Sequence, residues 1–437
     1  MRRLAVRLMS IAAVAVLTTT ACTATGGESA GDDADRTGPG VTDDTVKIGF
    51  VTLRNAAGAS GFISADQGDP QAQVDALVQQ INDNGGIAGR SVSPVIQEFD
   101  SSTDSVQTEN ALCTAFTQDE AVFAVVLLGQ RESSARTCYR NADTVMVDIS
   151  GIALADSVYQ ELAPHFWAPG NMTLDAYASA LVPTLDAAGF FDDAKVGVLI
   201  EKDPNYQSVF DSTLQPALEA VGVTDITTGE IDQTNASNAG ATVGAAAAAF
   251  KTAGVTAVLF LGRPDNPGYF TAIAGPQEYF PRLSIGTFED AQFSSANPTL
   301  FPPQALKDAL GIGFAPPKDG VSASLAFPRD GAEADCVSIY ESADITFAGR
   351  PEARTALGYC DALSFLQAAA ASLPDGSALN ADTIAGAAAD LGTEWQSAST
   401  LETRLRAGNY APASSVAGLA YSNGQFEYTG EPQGLAP

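Results

Sequence analysis

VKIGFVTL (46–53), QAQVDALVQQIN (71–82), GG (85–86) and VSPVIQEF (92–99) decide the fold. The first and last stretches are short β-branched apolar runs of strand length. Between them Val74, Leu77, Val78 and Ile81 recur at helical spacing on one face, and Gly85-Gly86 ends that helix. Strand, helix and strand in this order make a βαβ unit, whose two strands run parallel. The unit then repeats: helix 104–118, strand 122–128, helix 132–142, strand 144–149. A parallel sheet covered on both faces follows.

After an irregular stretch through His165, Phe166 and Trp167 and a helix near 174–188, the rhythm restarts with a strand at 195–200, which implies a second sheet. Helix 208–220, bent at Pro216, and an alanine-rich helix 242–253 closed by Gly254 follow, with strands at 255–261 and 283–286. Beyond Pro302 the pattern gives a strand near 311–314, helices around 333–341 and 354–373, and a hairpin turning at Asn423-Gly424 between 417 and 428. In open parallel sheets ligands sit beyond the carboxyl ends of the strands. With two such sheets the natural site is the cleft between them.

The amino terminus is an address. Arg2, Arg3 and Arg7 precede an apolar run from Leu8 to Leu17, the two parts of a secretory signal, and that run is too short to span a bilayer. It ends in Thr18-Thr19-Thr20-Ala21-Cys22, which resembles a bacterial lipobox; Thr19 departs from the aliphatic residue usual there. The resemblance implies cleavage after residue 21, a lipid on Cys22 and membrane attachment. Residues 23–44 are Gly, Ser, Thr, Ala and Asp with few apolar side chains, too little to offset the entropy of ordering, so 22–44 reads as a tether. As a coil it reaches on the order of 25 Å.

About four hundred residues remain, enough for two domains. The chain carries 22 Lys plus Arg against 52 Asp plus Glu, and removal of the three signal arginines takes the formal charge from −30 to −33. Nucleic acid is therefore not an expected partner. Besides Cys22 there are four cysteines, an even set that suggests disulfides in an exported chain: Cys113 with Cys138 and Cys336 with Cys360, each pair within one local unit. Each closed loop contributes about 3 kcal/mol in the chain-entropy picture. Zinc fits poorly, because no close C-x-x-C pair exists and His165 is the single histidine. No metal or cofactor is expected.

The strand Val46-Lys47-Ile48-Gly49, the segment Ile81-Asn82-Asp83-Asn84-Gly85-Gly86-Ile87-Ala88-Gly89-Arg90, and Val122-Phe123-Ala124-Val125-Val126 before Gly129 together resemble the branched-chain amino-acid-binding group of type I periplasmic binding proteins. The resemblance covers nearly the whole chain from Thr45. It implies two Rossmann-like α/β lobes joined by three crossovers, placed near 166–170, 314–317 and 408–412. Lobe I is then 45–168 plus 316–408, and lobe II 169–315 plus 409–437. It also implies a monomer that closes on a small polar solute, an amino acid, amide or related compound, and delivers it to an ABC importer. Family members often carry a disulfide where Cys113 and Cys138 stand.

The resemblance also points to ligand contacts. The loop after the third strand holds Gln130, Arg131, Ser133 and Ser134, where the family meets a ligand carboxylate with a hydroxyl and backbone N–H groups; the serines serve equally as helix caps, and Arg131 as a solvated charge. After the fourth strand come Ser150 and Ile152, with Leu154 beyond, where amino-acid binders usually show small residues and a threonine. Aliphatic side chains offer a zwitterion no hydrogen bond, which weakens a plain branched-chain amino-acid reading and favours an amide, a peptide-like or a less polar compound. Tyr206, Arg263, Asp265 and Asn266 follow strands of the second lobe, and either Glu289 or Asp290 takes the place of the family's acid against a ligand ammonium group. Arg54, Asn55 and Phe62 follow the first strand, and Trp167 reads as crossover packing.

Three functions compete on this evidence: a transport receptor, a sensor reporting to a membrane partner, and an exported enzyme. The chain has no G-x-S-x-G, S-x-x-K, H-E-x-x-H or G-x-x-x-x-G-K motif, so no catalytic residue is assigned. The receptor reading leads.

Overall fold

The computed structural model describes residues 37–54, 66–100, 105–131, 133–320, 325–374 and 376–435. The signal, Cys22, Asn55 and Phe62 lie outside them. Residues 38–44, placed in the tether by composition, carry hydrogen bonds to the body: Gly38 N donates to Leu379 O (2.8 Å) and Arg90 Nε to Thr42 O (2.7 Å), while Val41 bridges Val46.

The first sheet contains β1 (Thr45–Arg54), β2 (Ser91–Asp100), β3 (Ala124–Leu127), β4 (Val145–Asp148) and β5 (Phe166–Trp167). Its order is β2-β1-β3-β4-β5 and every pairing is parallel. β3 and β4 are buried throughout, as the continuous Val-rich runs require of strands covered on both faces. Pro94 lies in β2, an edge strand, where a missing N–H is tolerated. The helix Pro70–Asp83 starts as its sequence dictates, with Pro70 in the first turn and Asp69 Oδ1 accepting from the N–H groups of Gln71 (2.9 Å) and Ala72 (3.3 Å).

The second sheet contains β6 (Val196–Glu201), β7 (Ile226–Ile231), β8 (Ala257–Leu261) and β9 (Arg282–Leu283) in the order β7-β6-β8-β9, again parallel. β10 (Leu310–Gly313) continues it beyond β9 through a parallel Ser284–Leu310 bridge and the bond from Ile285 N to Leu310 O (2.9 Å). β11 (Ser415–Ser422), β12 (Gln425–Tyr428) and β13 (Gln433–Gly434) are antiparallel additions. The β11–β12 hairpin turns at Asn423-Gly424, both at positive φ (51° and 88°), as expected of that dipeptide.

Three passages connect the layers. The first leads from β5 into helix Leu174–Ala187, whose Tyr177 packs edge-on against Phe288 and Phe314 of the second layer. The second leaves β10 through Pro316–Asp319 for helices Ala332–Ser342, Arg350–Ala371 and Ala381–Asp390; Tyr359 in this set donates to Val51 O of β1 (2.8 Å). The third returns to β11. Disulfides join Cys113 to Cys138, tying helix Val106–Thr114 to helix Ser133–Asn141, and Cys336 to Cys360.

Some elements differ from the sequence reading. β7 had no expectation, because Thr227, Thr228 and Glu230 dilute its apolar pattern and only Ile231 is fully buried. The single helix expected at 208–220 is two short ones, Pro204–Val209 and Gln215–Ala220, joined by a π-turn at Phe210–Leu214, with Pro216 accommodated in a first turn. The strand expected at 283–286 is the two-residue β9. Helix Ala381–Asp390, capped by Asn380 and Thr383, was also not foreseen.

Candidate functional site

Loops that follow the carboxyl ends of five parallel strands, three from the first sheet and two from the second, meet around a cavity of about 130 Å³. Leu53 comes from the end of β1, Leu128, Gly129 and Arg131 follow β3, and Ile149 to Ile152 and Leu154 follow β4. Glu201, Asp203, Asn205 and Tyr206 come from the end of β6, and Arg263 and Pro264 follow β8. Lys318, Arg354 and Thr355 close it from the second passage and the long helix Arg350–Ala371. A smaller hollow of about 40 Å³ adjoins it past Lys318 and Arg354, toward Asp148, Asn171 and Asp361.

Of the residues singled out from sequence, Arg131, Ser150, Ile152, Tyr206 and Arg263 line this cavity. Ser150 is fixed twice: its Oγ accepts from Gly129 N (2.9 Å) and its N–H donates to Asp148 Oδ1 (2.8 Å). Asp148 in turn holds Arg136 in a buried ion pair (2.9 Å), so β4 and the loops beyond it are locked by charge beneath the cavity floor. Arg131 N donates to Glu109 Oε1. The Tyr206 ring is nearly buried, and burial raises its hydroxyl pKa far above the ordinary value. Arg263 is clamped by Glu201, whose Oε1 takes Nε (2.8 Å) and whose Oε2 takes the Arg263 backbone N–H (2.8 Å).

Other candidates stand elsewhere. Arg54 pairs with Glu98 at the surface, and Ser134 is exposed on its helix. Gln130 is buried beneath the loop, with its carbonyl accepting from Arg136 Nη2 (3.1 Å). Asn266 is buried and accepts from Gln233, which also donates to Asp265 (2.9 Å). Glu289 is sealed behind the wall, accepting from Tyr177 Oη (3.1 Å) and Gly286 N (2.9 Å), and burial pushes its carboxyl up to about 7. Asp290 receives Arg354 Nη1 at 2.6 Å and caps Phe293 N at 3.1 Å, so it ties the second layer to the long helix on the first. Neither acid lines the cavity: backbone and side-chain partners consume both.

Lys318, Arg354 and Glu201 were missed. Lys318 sits in a passage, and Arg354 inside a helix, where no strand-end rule looks. Glu201 is the last residue of a strand that reads as core. Yet Lys318 is the most unusual group on the wall. Its Nζ donates to Gly151 O (2.7 Å) and Ser150 O (3.3 Å), and burial, aided by the nearby Arg354 charge, lowers its pKa to about 7. Gly151 makes room for it: the residue has φ +64°, and a Cβ there falls 2.0 Å from Nζ.

A larger hollow, about 590 Å³, opens where helices Asp156–Leu162 and Leu174–Ala187 meet residues 402–414 and 434–435. Among its lining residues none directly follows a parallel strand, and its polar groups include Asp156, Arg404 and Arg406.

The order of both sheets, the three passages and a cavity at facing strand ends make the assignment. The fold is that of the type I periplasmic binding proteins. No family model and no curated protein matches the chain. Solved structures do. A fatty acid ABC transporter substrate-binding protein from Thermomonospora curvata is 17% identical with TM-score 0.62, over 92% of this chain and 95% of that one. An ABC-transporter solute-binding protein from R. palustris in complex with 4-hydroxybenzoate gives 14%, TM-score 0.63, and 90% and 98% coverage. The branched-chain amino acid transporter substrate-binding protein from Streptococcus pneumoniae with isoleucine gives 14%, TM-score 0.59, and 90% and 100%. At these identities the type I fold is shared, and the cavity lining is this chain's own. No helix among the described residues is long and apolar enough to cross a membrane.

Proposed function

We propose that the chain is an extracytoplasmic solute-binding lipoprotein, held to the bacterial cell membrane through Cys22, that captures a small solute between its lobes and delivers it to an ABC importer. The lobes are 45–168 plus 316–408 and 169–315 plus 409–437, and the site is Arg131, Ser150, Ile152, Tyr206 and Arg263 with Lys318 and Arg354. The carrying observation is the cavity itself, built from the carboxyl ends of two separate parallel sheets, the place where opening of the lobes admits a solute and closure buries it. The structurally similar proteins named above are transporter components described as binding a fatty acid, 4-hydroxybenzoate or isoleucine, which supports the transport role and leaves a choice among small acids and amino acids.

The test is uptake. A strain lacking this chain loses accumulation of one labelled solute, and wild-type chain restores it; a Cys22→Ala chain, released from the membrane fraction, restores it poorly. Unchanged uptake of every solute the purified chain binds contradicts the role, and turnover of a bound solute replaces it with an enzyme.

A further inference from the structure

Each arginine bound to an acid on the cavity wall is neutralised within the protein. Arg263 holds Glu201 through two contacts, and Arg354 holds Asp290. Lys318 differs: its described partners are two neutral carbonyl oxygens, and among the described residues it forms no ion pair. An ammonium group has three donors. Two are spent on Ser150 O and Gly151 O, which leaves one for whatever occupies the cavity.

The acids are equally informative. Both oxygens of Glu201 are taken by Arg263, those of Asp148 by Arg136 and Ser150 N, and those of Asp361 by Ser397, Ala398 and Ser399. Asp203 caps its own helix through Asn205 N (2.8 Å). Among the described carboxylates around the two hollows, Glu201, Asp148 and Asp361 have both oxygens engaged and Asp203 has one, so a ligand ammonium finds few acceptors, and a desolvated charge without a partner is costly. Leu53, Leu128, Ile149, Ile152 and the Tyr206 ring give the wall its apolar part, beside the polar Arg131, Ser150, Asn205 and Thr355. Its 130 Å³ leaves space for on the order of ten water-sized atoms.

We propose that the cavity is specific for a small monocarboxylate with an apolar body, an arene or short alkyl chain of about ten non-hydrogen atoms, whose carboxylate is received by the Lys318 ammonium beside Arg354. This rests on the solute-binding reading and narrows it. A zwitterionic amino acid of the same size binds more weakly because its ammonium meets only the half-engaged Asp203, and a neutral amide because it leaves the lysine charge unmatched. Long-chain acids exceed the space.

Calorimetry with the purified full chain tests it, using benzoate and octanoate as acids, benzamide as the neutral shape match and leucine as the zwitterion. Wild type binds at least one acid, and that acid at least tenfold more tightly than benzamide or leucine. Lys318→Met weakens acid binding at least a hundredfold and leaves benzamide within threefold of its wild-type affinity, which also shows that the variant's cavity is intact. Lys318→Arg retains part of the acid affinity. Leucine or benzamide binding as tightly as the acids, or acid affinity unchanged in Lys318→Met, overturns the class while leaving the receptor reading in place. Binding of none of the four also overturns it; loss of the receptor reading requires the uptake experiment to fail.

Discussion

Lys318 depends on neighbours that its own sequence position does not reveal. Its described surroundings are Arg354 and the acids Asp290, Asp148 and Asp319, of which Asp319 is itself raised to about 7 by burial. With the lysine lowered to about 7, the empty cavity at pH 8 holds a largely neutral amine, and an arriving carboxylate restores the charge. Acid binding at pH 8 is therefore expected to take up close to one proton, and affinity to fall by up to tenfold per pH unit above 7. Calorimetry in buffers of different ionisation enthalpy measures the uptake, and Lys318→Met is expected to remove most of it. Arg354 carries a second expectation. Asp290 is almost fully buried, so Arg354→Ala strands a carboxylate and is expected to cost about 3 kcal/mol in urea unfolding, part of which Asp290→Ala restores in the double variant. At this scale Ser150, Ile152, Tyr206 and Arg263, singled out because strand ends are visible as strand ends, stand on the cavity wall. The family resemblance places either Glu289 or Asp290 against a ligand ammonium group; in the structure Tyr177 and Gly286 engage the first and Arg354 the second, contacts that no local pattern announces.

At the scale of elements, the parallel sheets were legible because buried strands such as β3 and β4 are unbroken apolar runs, and helices such as Pro70–Asp83 carry their caps with them. β7 was not, since an edge strand rich in Thr needs only one well-buried residue. The helix around Phe210–Leu214 was drawn as one piece because periodicity cannot distinguish a π-turn from an α-turn. The cysteine pairing followed from proximity within one unit. The Cys113–Cys138 bridge joins the helix before β3 to the helix that follows the loop carrying Arg131. Replacing both cysteines with serine is expected to lower stability by about 3 kcal/mol, read as a reduced guanidinium midpoint with unchanged slope.

The whole molecule is acidic, and burial pushes up three of its almost fully buried carboxyls. Glu289 and Asp319 are raised to about 7 and Asp361 to about 6, each chiefly by burial. In the unfolded chain these groups titrate near 4. A folded pKa above the unfolded one gives stability that is full below pH 4 and is lost as pH rises through 6 and 7. The melting temperature is therefore expected to fall between pH 5 and pH 7.5, with Glu289→Gln flattening that dependence; scanning calorimetry over the range measures it. Lys318 acts in the opposite sense only above about pH 7, where the unfolded chain holds the extra proton.

The claim that the cavity between the sheets is the solute site is tested most directly by titrating a bound solute into two variants. Ile152→Trp fills the 130 Å³ cavity, and Arg406→Ala alters the larger hollow of about 590 Å³ beside the passages. The expected result is loss of binding in the first, at least a hundredfold, and wild-type affinity in the second. Wild-type affinity in Ile152→Trp together with loss in Arg406→Ala contradicts the account and moves the site to the other face.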